Sequence, residues 1–194
     1  MHEFRLTIPT KAHEQQAREF FNEFLIADGS QGKDVSVMEQ IRNDYDGWLA
    51  KLDRERPHRA TFFTQKGERI VGLVRIHFAQ NGVLIYRGGH IATAIRPSER
   101  GQGYNKISLF LALQTCKQRG CENALLTCSD ENTGLAKTIE SFGGKLVSKY
   151  GHQSATHART IVQVYSVDID AALDAHSAEY APRLAEAIVQ SCSA

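Results

Sequence analysis

The chain of 194 residues has no hydrophobic run near the roughly 18–20 residues that a membrane-spanning helix needs. Its first residues, MHEFRLTIPTKAHE, lack the cationic start and apolar core of a secretory leader. Neither sign of charge is in excess. The 23 Lys and Arg residues face 22 Asp and Glu, and no basic block appears, so charge gives no ground for a nucleic-acid or membrane partner. The cysteines, Cys116, Cys121, Cys128 and Cys192, contain no CxxC pair and suit reduced, buried thiols in the cytoplasm. There is no HExxH and no Cys/His cluster, and His152 and His157, five apart in a polar loop, make a poor zinc site. No metal is therefore expected. Internal repeats and low-complexity segments are also missing. What remains is 42% hydrophobic and 23% charged, the composition of one globular domain with length for a sizeable core.

The pattern along the chain is mixed. EFRLTIP alternates as a strand ended by Pro9, and TKAHEQQAREFFNEFLIADG follows as a helix with Phe20, Phe21, Phe24 and Leu25 on one side, stopped at Gly29. A loop, SQGKD, leads to a second helix predicted from Val35 to Arg56, with Met38, Ile41, Tyr45, Trp48, Leu49 and Leu52 together and Gly47 weakening it. RATFFTQKG and ERIVGLVRIHFAQ form a hairpin at Gly67, and GGHIATAIRP is a third strand ending at Pro97. A long helix runs to Arg119 and closes at Gly120. ENALLTCS is a buried strand, DENTGLAKTIESFGG a short helix stopped at Gly143-Gly144, and KLVSKYG and RTIVQVYSVD a last strand pair. The tail from Asp170 is helical, with a break or restart at Pro182. The fold class is α+β, with one strand–helix–strand crossover from Ile91 to Cys128. Residues 1–168 read as a single domain and residues 169–194 as a helical extension, which packs on the domain or joins a partner.

RPSERGQGYNKISLFLAL, from Arg96 to Leu113, sits between that strand and the long helix. A helix N-terminus offers unpaired N–H groups and the positive end of the dipole, and small residues let an anion approach them. Gly101 and Gly103 supply the small residues and Arg100 a cation. A Walker A loop is absent, and a dinucleotide GxGxxG fails because Lys106 stands at the third glycine position.

RGQGYN resembles the R/Q-x-x-G-x-G/A motif of the GNAT N-acetyltransferase superfamily, and its flanks agree. HIATAIRPSE resembles the family's fourth strand, ENALLTCSDEN its fifth strand and the following helix start, and GLAKTIESFGGKL the helix that closes its core. The N-terminal part, with YDGWL, is similar to a bacterial branch of uncharacterised acetyltransferases. The resemblance implies a mostly antiparallel central sheet flanked by helices, with a splayed parallel strand pair holding acetyl-coenzyme A as co-substrate. It implies that backbone groups of Thr93, Ile95 and Arg96 line the pantetheine and acetyl end, and that a bulge at Thr93–Ala94 polarises the thioester carbonyl. The N–H groups of Gly101, Gln102, Gly103, Tyr104 and Asn105 would hold the diphosphate, beside Arg100. Asn132 matches an asparagine that helps orient the cofactor, and it reads equally as a plain helix cap. Asn105 departs from the motif, which has Gly or Ala there.

The implied reaction is direct acetyl transfer to the amine of a small molecule, amino acid, aminated antibiotic or peptide. It needs a base and an acid. His90, near the position where many relatives carry a glutamate, is the first base candidate and His77 the second. The family's acid, a tyrosine seven residues beyond the asparagine, is replaced here by Ile139, leaving Tyr150, Tyr165 or Cys128 as substitutes, or a thiolate that departs unassisted and takes its proton from water. Cys128 as a nucleophile lacks a His–Asp partner. The alternative function is a GNAT-like module that binds acyl-coenzyme A without catalysis. Family habit implies a homodimer.

Overall fold

The computed structural model describes residues 3–27, 39, 41–78, 89–153 and 159–184. Val35, Met38, Gly29, the SQGKD loop, His157, Ile188 and Cys192 lie outside that set. The strands are β1 Phe4–Thr7, β2 Arg59–Lys66, β3 Arg69–His77, β4 Ile91–Ile95, β5 Asn123–Ser129, β6 Lys145–Gln153 and β7 Arg159–Asp168. The helices are α1 Glu14–Ala27, α2 Tyr45–Glu55, α3 Tyr104–Gln118, α4 Thr133–Ser141 and α5 Ile169–Tyr180. Among the described residues the strands form one sheet in the order β1-β2-β3-β4-β5-β7-β6. Neighbours are antiparallel except β4 and β5, which run parallel. This is the mixed α+β architecture that the sequence predicts. No helix among the described residues is long and apolar enough to cross a membrane.

The period-two alternation of the strands divides the core into two layers. On one face Phe63 and Ile70 pack with Phe20, Phe21, Phe24, Tyr45 and Trp48 of α1 and α2. On the other, Val74, Ile76, Ile91 and Leu126 pack with Ile107, Phe110 and Leu113 of α3 and with Ile169, Leu173 and Tyr180 of the α5 segment. Burying one such side chain contributes roughly 1.5–3 kcal/mol, so the sheet is clamped from both sides. One polar contact crosses the second layer, where Thr64 and Ser108 hydroxyls meet at 2.9 Å.

The second predicted helix is interrupted. Residues 41–43 are helical, Asp44 is not, and α2 starts at Tyr45. The Asp44 carboxylate accepts the Gly47 N–H at 2.8 Å and caps the new helix. A Cβ on Gly47 would lie 2.0 Å from Asp44 Oδ2, so the glycine that weakens the periodic reading is what lets this cap form.

The described part of the C-terminal extension packs on the domain. Asp168 caps α5 by accepting the Ala171 N–H at 3.0 Å. Tyr180, 2% exposed, sits against Phe110 and Phe142. Beyond it Leu184 bridges to Phe4 and Arg183 accepts the Glu3 N–H, which fastens the tail to β1.

β4 and β5 touch only at one end. Their ladder consists of Ile91 opposite Leu126, and the strands then part. Gly89 makes the close approach at the base of this fork. Its φ is +74°, and a Cβ there would lie 2.5 Å from the Leu125 carbonyl oxygen. Gly89→Ala is expected to cost about 2–4 kcal/mol, from left-handed strain plus backbone collision. Thermal denaturation should show the melting temperature lowered by roughly 5–15 °C. An unchanged midpoint would mean that the fork does not depend on this contact.

Candidate functional site

The fork leaves one edge of β4 unpaired. Arg96 N–H donates to Val71 C=O at 2.9 Å and His77 N–H to His90 C=O at 2.7 Å. In an antiparallel ladder the bonded positions alternate. Ala92, Ala94 and Arg96 therefore turn their backbone groups to β3, and Ile91, Thr93 and Ile95 turn theirs toward β5. Ile91 meets Leu126, but past the fork the N–H and C=O groups of Thr93 and Ile95 face the opening without a partner strand, and the Ile95 C=O accepts from Arg100 Nε at 3.4 Å. Two expectations need correction. The Arg96 N–H is occupied by β3 and cannot line the opening. No bulge occurs at Thr93–Ala94, because the β3–β4 register runs unbroken from Gly72–Ile95 to Ile76–Ile91.

The opening leads to the loop before α3. Gly101 and Gly103 have φ of +79° and +76°, and a Cβ on either would meet nothing within 4 Å. The backbone N–H groups of Gly101, Gln102, Gly103, Tyr104 and Asn105 find no acceptor in the protein among the described residues. Left-handed glycines and unpaired amides at the positive end of a 15-residue helix make an anion cradle. Not every motif residue turns to it. Tyr104 is buried against Phe4 and accepts a hydrogen bond from Lys66 at 2.9 Å. Asn105 reaches back to β4, where Thr93 Oγ1 donates to Asn105 Oδ1 at 2.7 Å. The residue that departs from the family motif is thus a tie between α3 and the free edge of β4.

The cradle is also fastened to α1, a connection sequence reasoning missed. Arg96, 4% exposed, sends its side chain through to the α1 face and pairs with Glu23 at 2.5 Å. Glu23 also accepts from the Ser98 hydroxyl at 2.7 Å. Burial works to raise the Glu23 carboxyl, and the hydrogen bonds from Ser98 and Arg96 outweigh it, holding the group below the ordinary carboxylate range. Arg69 pairs with Glu99 at 2.6 Å, and the Arg100 guanidinium lies 5.3 Å from the Phe24 ring centre. The signal in the sequence is faint, since it consists of single polar residues 73 and 75 positions apart.

His90 stands at the fork itself. Its Nδ1 accepts the Leu125 N–H at 2.8 Å, and its own N–H donates to Leu125 C=O at 2.6 Å. With Nδ1 occupied as an acceptor, the neutral ring carries its proton on Nε2, which is buried without a partner. Burial lowers its pKa. The ring is therefore set to donate through Nε2, and the free lone pair that the base reading requires is taken by Leu125. His77 lies across β3 from it, also lowered by burial and then by the charges of Arg59 and Arg75.

The acid candidates separate. Tyr150 lies on β6, with β7 and β5 between it and β4, about 14 Å away at ordinary strand spacing. Tyr165 is on β7 and its hydroxyl is within 3.1 Å of Gln163 Oε1. Ile139, at the family's tyrosine position, is fully buried core. Cys128 is two residues beyond Leu126, level with Thr93 across the opening. Burial, then Glu140 and Asp130, raise its pKa, so the thiol stays protonated and is no nucleophile. Asn132 caps α4 by accepting the Leu135 N–H at 3.1 Å.

No curated protein matches the sequence. Solved structures do match. They include the microcin C7 self-immunity acetyltransferase MccE in complex with acetyl-CoA and AMP, at 14% identity and TM-score 0.71, covering 87% of this chain and 93% of that one. Mycobacterium smegmatis RimJ in complex with CoA-disulfide has 16% identity and TM-score 0.71, covering 91% and 90%. YncA of Salmonella typhimurium with acetyl-CoA has 12% identity and TM-score 0.64, covering 87% and 95%. At such identities these likenesses establish the fold. The family model described as Acetyltransferase (GNAT) family matches residues 11–143. A sheet forked beside a glycine-lined helix start, and a sequence match over most of the chain, agree that this protein belongs to the GNAT acetyltransferase family.

Proposed function

We propose that this protein transfers an acetyl group from acetyl-coenzyme A to a primary amine of a small molecule or peptide. The observation that carries the reading is the fork, where the β4 edge at Thr93 and Ile95 has no partner strand and runs into the empty amides of Gly101–Asn105. Acetyl-CoA, when bound, supplies the thioester. Gly101–Asn105 amides and Arg100 hold its diphosphate, and Ile95 and Thr93 backbone groups hold the pantetheine arm. The Thr93 N–H polarises the thioester carbonyl, replacing the absent bulge in that role. The amine approaches from the α1–α2 face beside exposed Ala92. Cys128 lies across the opening from Thr93, but its raised pKa and its contact with Gln163 make it a poor acid, so the leaving thiolate takes its proton from water. The protein acts in the cytoplasm.

The direct test measures thiol release from acetyl-CoA against an amine panel, with mass spectrometry locating the acetyl group on nitrogen. Cofactor binding without acceptor-dependent release across the panel would instead favour a binding module, a reading to which Ile139 in place of the tyrosine lends support. Gly103→Val should weaken coenzyme A binding at least about tenfold, or about 1.4 kcal/mol, by calorimetry, since a side chain at this left-handed position strains the cradle and fills the space that the diphosphate would take. Retained affinity would move the diphosphate elsewhere.

Glu23→Gln should loosen the cradle from α1. Leaving Arg96 buried without its counter-charge costs about 2–4 kcal/mol, allowing for the partial exposure of Glu23. The expected result is a lower melting temperature and weaker coenzyme A binding together. A stability loss with unchanged affinity would confine the pair to folding.

His90→Asn keeps an acceptor for the Leu125 N–H while removing Nε2–H. Because His90 has a folded pKa below its ordinary value of 6.5, its contribution to stability is fully present above that pH and is lost as pH falls through the depressed value. The variant should lose less stability than the wild type between about pH 8 and about pH 5. The acid limb of kcat/KM should stay in place. If that limb disappears in the variant, His90 is the base after all.

A further inference from the structure

The polar tie between β4 and α3 has more bonding capacity than the protein uses. Thr93 Oγ1 donates to Asn105 Oδ1 at 2.7 Å. A hydroxyl has lone pairs besides its proton, and a side-chain amide has two N–H donors besides its oxygen. Among the described residues nothing accepts from Asn105 Nδ2, and nothing donates to Thr93 Oγ1. Both residues are half-buried, so a ligand can take the place of water on these atoms. The direction of the bond decides what they offer. The Thr93 proton is committed to Asn105 Oδ1, which leaves an N–H donor on Asn105 and an oxygen acceptor on Thr93, side by side.

The place of the tie says what kind of ligand meets it. Asn105 belongs to the first turn of α3, at the empty amides. Thr93 stands on β4 between Ile91, where the strand last touches β5, and Ile95 at its end. A molecule anchored at the amides and lying along the free edge of β4 passes this pair on its way to the fork. The backbone of Thr93 and Ile95 meets it in the plane of the sheet. The tie meets it from the α3 side, where the Thr93 side chain reaches Asn105.

Resting on the acetyl-coenzyme A reading above, we propose that Thr93 and Asn105 form a clasp for a secondary amide of the pantetheine arm. The amide C=O accepts from Asn105 Nδ2, and the amide N–H donates to Thr93 Oγ1. An amide suits the pair because it is a donor and an acceptor at once. A saturated chain in the same place would leave both groups without partners. The motif that RGQGYN resembles has Gly or Ala at the last position, which has no such group to offer. The clasp is thus a property of this chain's asparagine, and it is a binding contact with no part in proton transfer.

The test compares coenzyme A with 3′-phospho-ADP, its nucleotide half, by calorimetry. Both carry the diphosphate and only coenzyme A carries the arm, so the ratio of the two affinities isolates the arm. Asn105→Ala should lower that ratio about threefold to tenfold, the scale of one neutral hydrogen bond. Asn105→Asp keeps an acceptor for the Thr93 hydroxyl, and so keeps the tie, but has no N–H to donate. It should lower the ratio by a similar factor. Its negative charge repels both ligands through their phosphates, which weakens each without itself lowering the ratio. Thr93→Val should lower the ratio as well, and Thr93→Ser should preserve it.

An unchanged ratio in both Asn105 variants overturns the clasp. So does a ratio that falls in Asn105→Ala and holds in Asn105→Asp, because the side chain then serves only to tie β4 to α3. In either case wild-type binding of coenzyme A leaves the acetyl-transfer reading standing. If the wild type binds neither ligand, that reading fails and the clasp falls with it. If Asn105→Ala does not fold, Asn105→Asp and the two Thr93 variants decide.

Discussion

The parting of β4 and β5 is the constraint on which the rest depends. A sheet normally satisfies both edges of an interior strand, and leaving β4 half-paired in the middle of a seven-stranded sheet exposes backbone groups that would otherwise be bonded. Two devices hold the strands together at the base and let them separate above it. Gly89 permits a backbone approach that any side chain would block, and His90 links to Leu125 through both its backbone and its ring. On the far side, Asn105 fixes the diverging strand to α3 through Thr93. The opening is therefore built at both ends by short contacts and does not rely on slack in the sheet.

The same region joins the two core layers. Arg96 has its backbone in the ladder with β3 and its guanidinium on Glu23 of α1, while the next residues form the cradle before α3. The anion cradle on one side and the α1–α2 face on the other are thus coupled through one buried ion pair. A buried charge with a single carboxylate partner tolerates little displacement, because separation would leave it uncompensated. Movement of α1 would therefore be felt at the loop before α3.

Much of this was legible in the sequence where the cause is local. Gly101 and Gly103 before an apolar helical run identify a cradle because left-handed backbone and unpaired amides depend on neighbours in the chain. One of the two readings of Asn132, a helix cap, is legible for the same reason, and its side chain does cap α4. The rest has long-range causes. Periodicity over Ile41, Tyr45, Trp48 and Leu52 suggests one helix, and only the capping contact of Asp44 with Gly47 divides it. Asn105 looks like a flaw in a motif until Thr93 is brought beside it. His90 looks like a base from its type and place, and its role changes once the Leu125 N–H occupies Nδ1. No pattern along the chain announces that Glu23 will meet Arg96.

Burial lowers the pKa of both His77 and His90, and the charges of Arg59 and Arg75 lower His77 further. Both rings are thereby biased to the neutral form, and His90 commits its Nδ1 lone pair to the Leu125 N–H. The histidine at the fork therefore holds β4 to β5 as a neutral acceptor, and protonating Nδ1 would cost that hydrogen bond as well as the burial penalty. The depressed pKa and the structural role of His90 thus share one cause, its place between the parting strands.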